Sequence, residues 1–249
     1  MAWLVSLVLT ALALPLPLWA GDDGLPLLFA DDFGGPDAVI TNHYAYFAPD
    51  DPRAHRSPEW EMESGCALRR GDRLWSGEPT SAVPNRDCSN GTGSASFRLW
   101  TKRRDFGDVV ASFALRNNGY TPAGESWDGV KVYLRRQDGD NFYTAEVNRR
   151  QGNVIIQRKC DGEYALLSQV RTPASAARIG EWENVGGTVA NGAYGSVVIQ
   201  VVREDGVLLQ AIDPPGSCPA LRRPGRIGIR GDRTDFHVDD VEVRPAGDA

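Results

Sequence analysis

Residues 128–149 read DGVKVYLRRQDGDNFYTAEVNR, and this stretch decides the fold class. Apolar and polar side chains alternate on both sides of the DGDN segment, which is the period of a half-buried β-strand. Asp, Asn and Gly tolerate the backbone conformations that a tight turn requires. The stretch therefore predicts a hairpin whose two antiparallel strands cover residues 130–134 and 142–148.

The same period of two recurs along most of the chain. Further strand patterns lie at residues 94–100, 109–115, 154–158, 164–170, 197–202, 207–212, 227–230 and 236–243. Asn/Asp-Gly turn signals separate several of them, and a helical period is absent beyond a short stretch at residues 174–178. Short strands at this spacing predict an all-β sandwich or barrel. We expect one domain over residues 21–249.

The composition narrows the classes of partner. The chain has 249 residues, of which 41% are hydrophobic, and its net charge is −6 from 27 Lys+Arg and 33 Asp+Glu. That hydrophobic content supports a packed core and excludes wholesale disorder. The acidic balance and the absence of a long basic run exclude a typical nucleic-acid binder.

The first twenty residues are almost entirely apolar. They predict a signal peptide, residues 1–20, cleaved near Ala20, and therefore a secreted protein. The alternative is an uncleaved membrane anchor, which Pro15 and Pro17 disfavour because each removes a backbone donor from a helix. No later stretch approaches the roughly 20 apolar residues that a membrane helix needs, so we expect no span in the mature chain.

An even number of cysteines in an exported chain indicates disulfides. The four cysteines allow three connectivities. We favour Cys66–Cys88 and Cys160–Cys218, because the first pair flanks one loop-rich stretch.

Several motifs resemble one superfamily. They are FADDF at residues 29–33, WEMESG at 60–65, and FHVDDVEV at 236–243. Together they resemble the concanavalin A-like lectin/glucanase jelly rolls, including laminin-G-like modules and 3-keto-disaccharide hydrolase-like domains. Residues 57–109, from SPEWEMESG through TKRRDFGDV, and residues 127–137, WDGVKVYLRRQ, also resemble a group of secreted bacterial proteins. The resemblance implies a two-sheet antiparallel jelly-roll sandwich with paired first and last strands, and a groove on the concave outer face.

Strand alternation assigns candidate residues to that groove. Val130, Val132 and Leu134 point to one side of their strand, and the intervening residues point to the other. With the facing side of the second strand, the expected ligand-binding residues are Trp127, Lys131, Tyr133, Arg135, Glu146 and Asn148. Aromatic rings, cations, a carboxylate and an amide suit a saccharide. The alternative is a solvated sheet face with cross-strand ion pairs.

The resemblance also suggests a metal site. If the first and last strands pair, four carboxylates converge, namely those of Asp31, Asp32, Asp239 and Asp240. Such a cluster would hold a structural calcium ion, which prefers oxygen ligands. The alternative is a turn-and-edge cluster without metal, and we expect no other cofactor.

Two enzymatic alternatives use the same groove. Glu59, Glu61 and Glu63 lie on one face of a strand at roughly 7 Å spacing, between the two separations that glycosidases use. In the alternative to catalysis, Trp60 and Met62 face the core and the acids face water. Polysaccharide lyases on this fold would pair Tyr133 with a neutralising Arg135.

We therefore expect a secreted, monomeric, carbohydrate-binding jelly roll whose partner is a polysaccharide or glycan. The alternatives are a glycoside hydrolase or polysaccharide lyase in the same groove, and a non-catalytic adhesion module.

Overall fold

The computed structural model describes residues 25–78, 96–122, 124–204 and 206–247, and in this part of the chain nearly all regular structure is β. The predicted signal peptide, residues 1–20, lies outside the described residues. Two antiparallel sheets pack face to face, as the alternating sequence predicted.

The strands are β1 (Phe29–Asp31), β2 (Ala38–Asn42), β3 (Trp60–Ser64), β4 (Cys66–Arg69), β5 (Leu74–Trp75), β6 (Ser96–Thr101), β7 (Val109–Tyr120), β8 (Gly129–Arg136), β9 (Phe142–Arg149), β10 (Asn153–Cys160), β11 (Glu163–Arg171), β12 (Trp182–Asn191), β13 (Val197–Arg203), β14 (Gly206–Asp213), β15 (Arg226–Asp232) and β16 (Thr234–Pro245). A short helix, α1 (His43–Phe47), follows β2, and 3₁₀ turns lie at Pro173–Ser175, Ala193–Gly195 and Pro219–Arg222.

Among the described residues, one sheet has nine strands and the other has seven. The nine-stranded sheet runs in the order β14-β13-β12-β7-β16-β5-β4-β2, and β1 also pairs with β16. The seven-stranded sheet runs β11-β10-β9-β8-β15-β6-β3. All named strand pairs are antiparallel, and several neighbours are far apart in sequence, as a jelly roll requires.

The core fills the space between the sheets. Val130, Val132 and Leu134 of β8 point into it, and Tyr143 and Ala145 of β9 do the same. This is the face that alternation assigned to the interior. At the far end of β10, the predicted Asp-Gly turn places Asp161 and Gly162 at positive φ.

Two β-bulges correct the predicted faces. Arg135 has a φ of +48° and adds one residue to β8 opposite β15, so Arg136 takes the outer-face position and pairs with Arg226. The prediction that Arg135 lies on the outer face is therefore wrong. Arg135 instead donates to the carbonyls of Gly107 and Leu221.

The second bulge turns the side chain of Asn148 toward the space between the sheets. The β8–β9 register shifts between Val130 and Lys131, which leaves Asn148 paired with the core residue Val130. Its side chain accepts a 2.6 Å bond from Asn117 and donates a 2.9 Å bond to Glu183, and both partners belong to the nine-stranded sheet. Asn148 is thus buried between the sheets, and its predicted place in the groove is wrong.

The first and last strands pair as the resemblance implied. Phe29 lies opposite Val243 and Asp31 opposite Val241. The Cys160–Cys218 disulfide forms as predicted. Cys66 is also disulfide-bonded, and its predicted partner Cys88 lies outside the described residues. Across the described ranges, we find no helix that combines the length and the apolar character of a membrane span.

Candidate ligand-binding cleft

The outer face of the seven-stranded sheet carries polar and aromatic side chains in register. Lys131 of β8 lies opposite Arg230 of β15, which in turn lies opposite Arg98 of β6. One pair further along these strands, Tyr133, Gly228 and Trp100 form the neighbouring row. The sheet thus brings together residues of three strands, β8, β15 and β6, that are distant in sequence.

The first row is a connected ionic network. The ammonium of Lys131 lies 3.2 Å from the Asp232 carboxylate and 3.6 Å from that of Glu146. Arg230 donates to Asp232 at 2.8 Å through Nε and to the Tyr133 hydroxyl at 2.8 Å through Nη1. Burial opposes the charge of Asp232, but Arg230 and Lys131 outweigh it and hold the pKa of Asp232 below its usual value. These ion pairs are well shielded from water, so they form a fixed base beneath the surface.

The second row is aromatic. Gly228 has no side chain, and a Cβ there would lie 2.1 Å from Cε3 of Trp100. Trp100 therefore leans across Gly228 and meets Tyr133 edge-on, with ring centroids 4.8 Å apart. Phe142 packs against the other side of Tyr133 at 4.7 Å. Tyr133 is only 2% exposed, and burial raises its pKa to about 12.

Glu63 joins this aromatic row to two arginines. Its Oε2 accepts from the Trp100 indole at 3.0 Å and from Arg136 at 2.7 Å. Its Oε1 accepts from Arg98 at 3.3 Å. The Arg136 guanidinium also lies over the Trp100 ring, 4.1 Å from its centroid, which covers that face of the indole. Burial lowers the pKa of Arg136, and the nearby Glu63 charge counters this effect.

These residues line an open cleft of about 90 Å³ near the Asp138–Asn141 turn. Its wall residues are Glu63, Arg98, Trp100, Tyr133, Arg136, Gly139, Phe142, Lys159, Tyr164 and Arg230. Tyr164 stands at the margin on β11 and is 54% exposed. Lys159 lies beside it and donates to the Gly139 carbonyl at 2.9 Å. The cleft therefore combines an aromatic floor, a layer of cations and one accessible ring.

The predicted groove residues have different positions. Lys131, Tyr133 and Glu146 lie on the outer face as predicted, but all three are buried and contribute to the floor or to its support. The expectation that Tyr133 is uncovered is wrong, because Trp100 and Phe142 pack on it. Trp127 is exposed away from the cleft, where the Arg233 guanidinium lies 5.2 Å from its ring centroid.

The side chains of three of the four aspartates of the predicted calcium site have separate partners. Asp31 accepts a 2.6 Å bond from the Trp60 indole, and Asp32 accepts from the backbone of Gly34. Asp239 pairs with Arg73 at 3.1 Å and also accepts from the backbone of Asp240. In the described part of the chain, no group of three or more metal-ligating side chains comes together. The paired terminal strands bring these residues near one another without forming a common carboxylate cluster.

Strand β3, which carries Glu61 and Glu63, buries apolar side chains on one face and forms ion pairs on the other. Trp60 and Met62 are buried in the core, as the alternative to catalysis predicted. Glu61 pairs with Arg226, and Glu63 with Arg98 and Arg136. For the lyase alternative, the bulge places Tyr133 and Arg135 on opposite sides of the sheet.

Several cleft residues were missed by sequence reasoning. Arg98 and Trp100 alternate with the core residues Phe97 and Leu99, so the period of two in β6 carried the signal. Arg230 likewise alternates with the core residue Ile229. What the sequence lacked was the order β9-β8-β15-β6-β3, which makes these strands neighbours.

The chain is similar to solved structures of carbohydrate-active proteins. A structure described as an endo-acting O-glycanase of the human gut microbiota, which initiates mucin breakdown, aligns over 88% of this chain and 99% of that one, with a TM-score of 0.52 and 9% identity. The exoplasmic/lumenal domain of VIP36 bound to Ca²⁺ and Man₃GlcNAc aligns over 78% and 88%, with a TM-score of 0.51 and 10% identity. The carbohydrate-binding module CBM66 from Bacillus subtilis aligns over 74% and 94%, with a TM-score of 0.49 and 13% identity.

No protein-family model and no curated protein matches the chain. The two alignments with a TM-score above 0.5 establish the fold. The chain is an all-β, two-sheet sandwich of the concanavalin A-like lectin/glucanase fold, in agreement with the resemblance of its motifs.

Proposed function

We propose that the protein binds a polysaccharide or glycan in the cleft on the outer face of its seven-stranded sheet. The observation that carries the proposal is the combination of one exposed ring, Tyr164, with hydrogen-bonding side chains held over a rigid aromatic floor. Sugar rings present an apolar face that stacks on an aromatic side chain, and their hydroxyls pair with charged donors and acceptors.

The architecture supports binding without large rearrangement. Tyr133, Trp100 and Phe142 pack together beneath the cleft, and Arg230 is fixed by both Tyr133 and Asp232. Side chains that are already ordered lose little conformational entropy when a ligand docks. Lys131 and Glu146 act in this proposal as supports of the cleft and not as its contact residues.

The cleft favours binding over catalysis. Within the described residues that line it, Glu63 is the one carboxylate, and two arginines and an indole occupy its oxygens. The Tyr133 phenol accepts a bond from Arg230 and is kept protonated at neutral pH by burial. Neither group is poised as a general acid or base.

We also propose that the protein acts outside the cell as a monomer. The apolar first twenty residues support export. The Cys160–Cys218 disulfide is typical of an oxidising compartment.

The test is a glycan array followed by calorimetric titration of the best ligand. Tyr164→Ala should weaken binding about tenfold, because it removes the stacking ring and leaves the core intact. The matched control is Tyr194→Ala, since Tyr194 is 98% exposed and lies in the β12–β13 connection of the other sheet. Equal affinity of both variants would refute the site. Assays for reducing sugar and unsaturated products on the same samples would reveal an enzyme.

A further inference from the structure

We infer that the glycan bound in this cleft is acidic, with carboxylate or sulfate groups that Arg98, Arg136, Lys159 and Arg230 recognise. This inference rests on the proposed function and specifies its ligand class.

The side chains that line the cleft carry an excess of positive charge. Of the described residues that line the cleft, four are cations and one, Glu63, is an anion. Lys159 pairs with Asp140 and Arg230 with Asp232, so the excess of positive charge comes from Arg98 and Arg136, which share Glu63. The whole chain has a net charge of −6, so this basic surface is opposite in sign to the protein around it. A cleft of one sign focuses the field and attracts a ligand of the other sign.

Arg98 and Arg136 have more N–H donors than Glu63 uses. A guanidinium has five N–H donors in a planar fork that matches carboxylate and sulfate oxygens. Glu63 is shared by Arg98 and Arg136, which contact it through Nη1 and Nη2 respectively. Nε of Arg98 is buried and has no hydrogen-bond partner in the described residues, but the side chain as a whole is 35% exposed and uses only Nη1 on Glu63. One carboxylate therefore leaves donors of both arginines for a ligand.

The aromatic rings at the centre of the cleft are covered by other side chains. A neutral sugar stacks on an open aromatic face, but Arg136 covers Trp100, and Tyr133 is packed between Trp100 and Phe142. What the centre of the cleft presents is thus charge, while the half-exposed ring of Tyr164 stands at its margin with the Lys159 ammonium over one face, 5.4 Å from the ring centroid. This arrangement fits a sugar whose ring stacks on Tyr164 and whose acidic group reaches the arginines.

The experiment compares ligands that differ in one charge. Oligogalacturonate is titrated beside its carboxyl-reduced form, and chondroitin sulfate beside its desulfated form, so the two sources of negative charge are separated. We expect at least one acidic ligand to bind, its affinity to fall tenfold or more when its charged group is removed, and its Kd to rise between 50 and 500 mM salt.

Two substitutions test the residues. Arg98→Gln should weaken binding of the acidic ligand about tenfold. Arg171→Gln, which removes the same charge from an exposed position of β11 outside the cleft, should leave it unchanged. Circular dichroism and the melting temperature of both variants establish that they are folded.

The outcomes separate the two proposals. Tyr164-dependent binding that is equally tight for charged and neutral forms would overturn the acidic ligand and leave glycan binding in place. If Tyr164→Ala changes the affinity for none of the glycans, the proposed function fails. Equal affinity for a single-stranded oligonucleotide would show that the cleft selects charge without selecting sugar, and would also overturn the inference.

Discussion

The guanidinium of Arg136 lies over Trp100, 4.1 Å from the ring centroid, while its chain neighbour Arg135 points to the opposite side of the same sheet. The bulge at Arg135 places these two consecutive arginines on opposite faces of the sheet. Arg135 ties the sheet to the 3₁₀ turn at Pro219–Arg222 through the Leu221 carbonyl, and Arg136 forms part of the cleft. Substitutions on this sheet therefore have effects that depend on which side of it they lie.

Both faces of β8 are packed, so substitutions on either face should destabilise the protein. Val132→Ala should cost about 1–3 kcal/mol from the core, and Tyr133→Ala about 3–5 kcal/mol, because it leaves a cavity between Trp100 and Phe142. Urea denaturation measures both values. Tyr164→Ala on β11 is the control and should change the free energy of unfolding by less than about 0.5 kcal/mol. A Tyr133→Ala protein as stable as the wild type would contradict the packed floor.

Gly228→Ala should disturb the floor of the cleft. The added methyl group would collide with the Trp100 ring and would also lie 2.8 Å from the Leu99 carbonyl oxygen, so the ring must shift. We expect a loss of about 1–3 kcal/mol of stability and a change in the Trp100 fluorescence environment. Gly107→Ala is the matched control, since its methyl would lie at an ordinary 3.7 Å from Pro224. Equal effects of the two substitutions would count against the close approach of Trp100.

Glu63→Gln should have opposite effects on stability and on ligand binding. The amide keeps the shape but loses the charge that holds Arg98 and Arg136, so we expect a loss of about 1–2 kcal/mol in thermal or chemical unfolding. The cleft gains one unit of positive charge, so affinity for an acidic oligosaccharide should rise severalfold in the same buffer. Weaker binding would show that Glu63 itself contacts the ligand. A catalytic role would instead appear as loss of product formation by 10²-fold or more.

The sequence predicted which face of the sheet a strand residue occupies better than it predicted which strands are neighbours. Alternation placed Val132 in the core and Tyr133 on the outer face, because a strand has a fixed period of two. It failed after the bulges, at Arg135 and Asn148, because one extra residue inverts every later assignment. No local signal in the sequence announces these bulges.

The cleft itself depends on long-range order. Glu63, Trp100 and Arg136 meet because β8, β15, β6 and β3 follow one another in the sheet, although residues 63 and 136 are 73 positions apart in the chain. Strand order of this kind follows from the global topology and not from any local pattern. The motif resemblance supplied the sandwich and the pairing of the terminal strands, but it could not identify the side chains that line the cleft.

The Cys160–Cys218 disulfide should contribute strongly to stability. It closes a segment with a sequence separation of 58 residues, and the loop-entropy model gives about 4 kcal/mol for a loop of this length. The double variant Cys160→Ser with Cys218→Ser should unfold at a clearly lower temperature in non-reducing buffer. Wild-type protein treated with a reductant is the control and should approach the variant. An unchanged melting temperature in both samples would show that this disulfide does not stabilise the protein.

His237 should make stability depend on pH near neutrality. Its Nδ1 lies 2.9 Å from Asn118 Nδ2, so the imidazole is a neutral acceptor, and its ring stacks on Trp75 at 6.1 Å. Burial lowers the pKa of His237 below its usual 6.5. Asp235 opposes this shift, while Arg116, Arg70 and Arg73 reinforce it.

The direction of the effect follows from this lowered pKa. As the pH falls through 6.5, the unfolded chain takes up a proton on this residue before the folded protein does. The stabilisation that His237 provides is therefore complete above about pH 6.5 and is lost as the pH falls toward the folded-state pKa. We expect the melting temperature of the wild type to drop more between pH 7.5 and 5.5 than that of His237→Gln, in which Gln can still accept the Asn118 bond. Titration of the imidazole by NMR checks the cause directly, and a folded-state pKa at or above 6.5 would refute it.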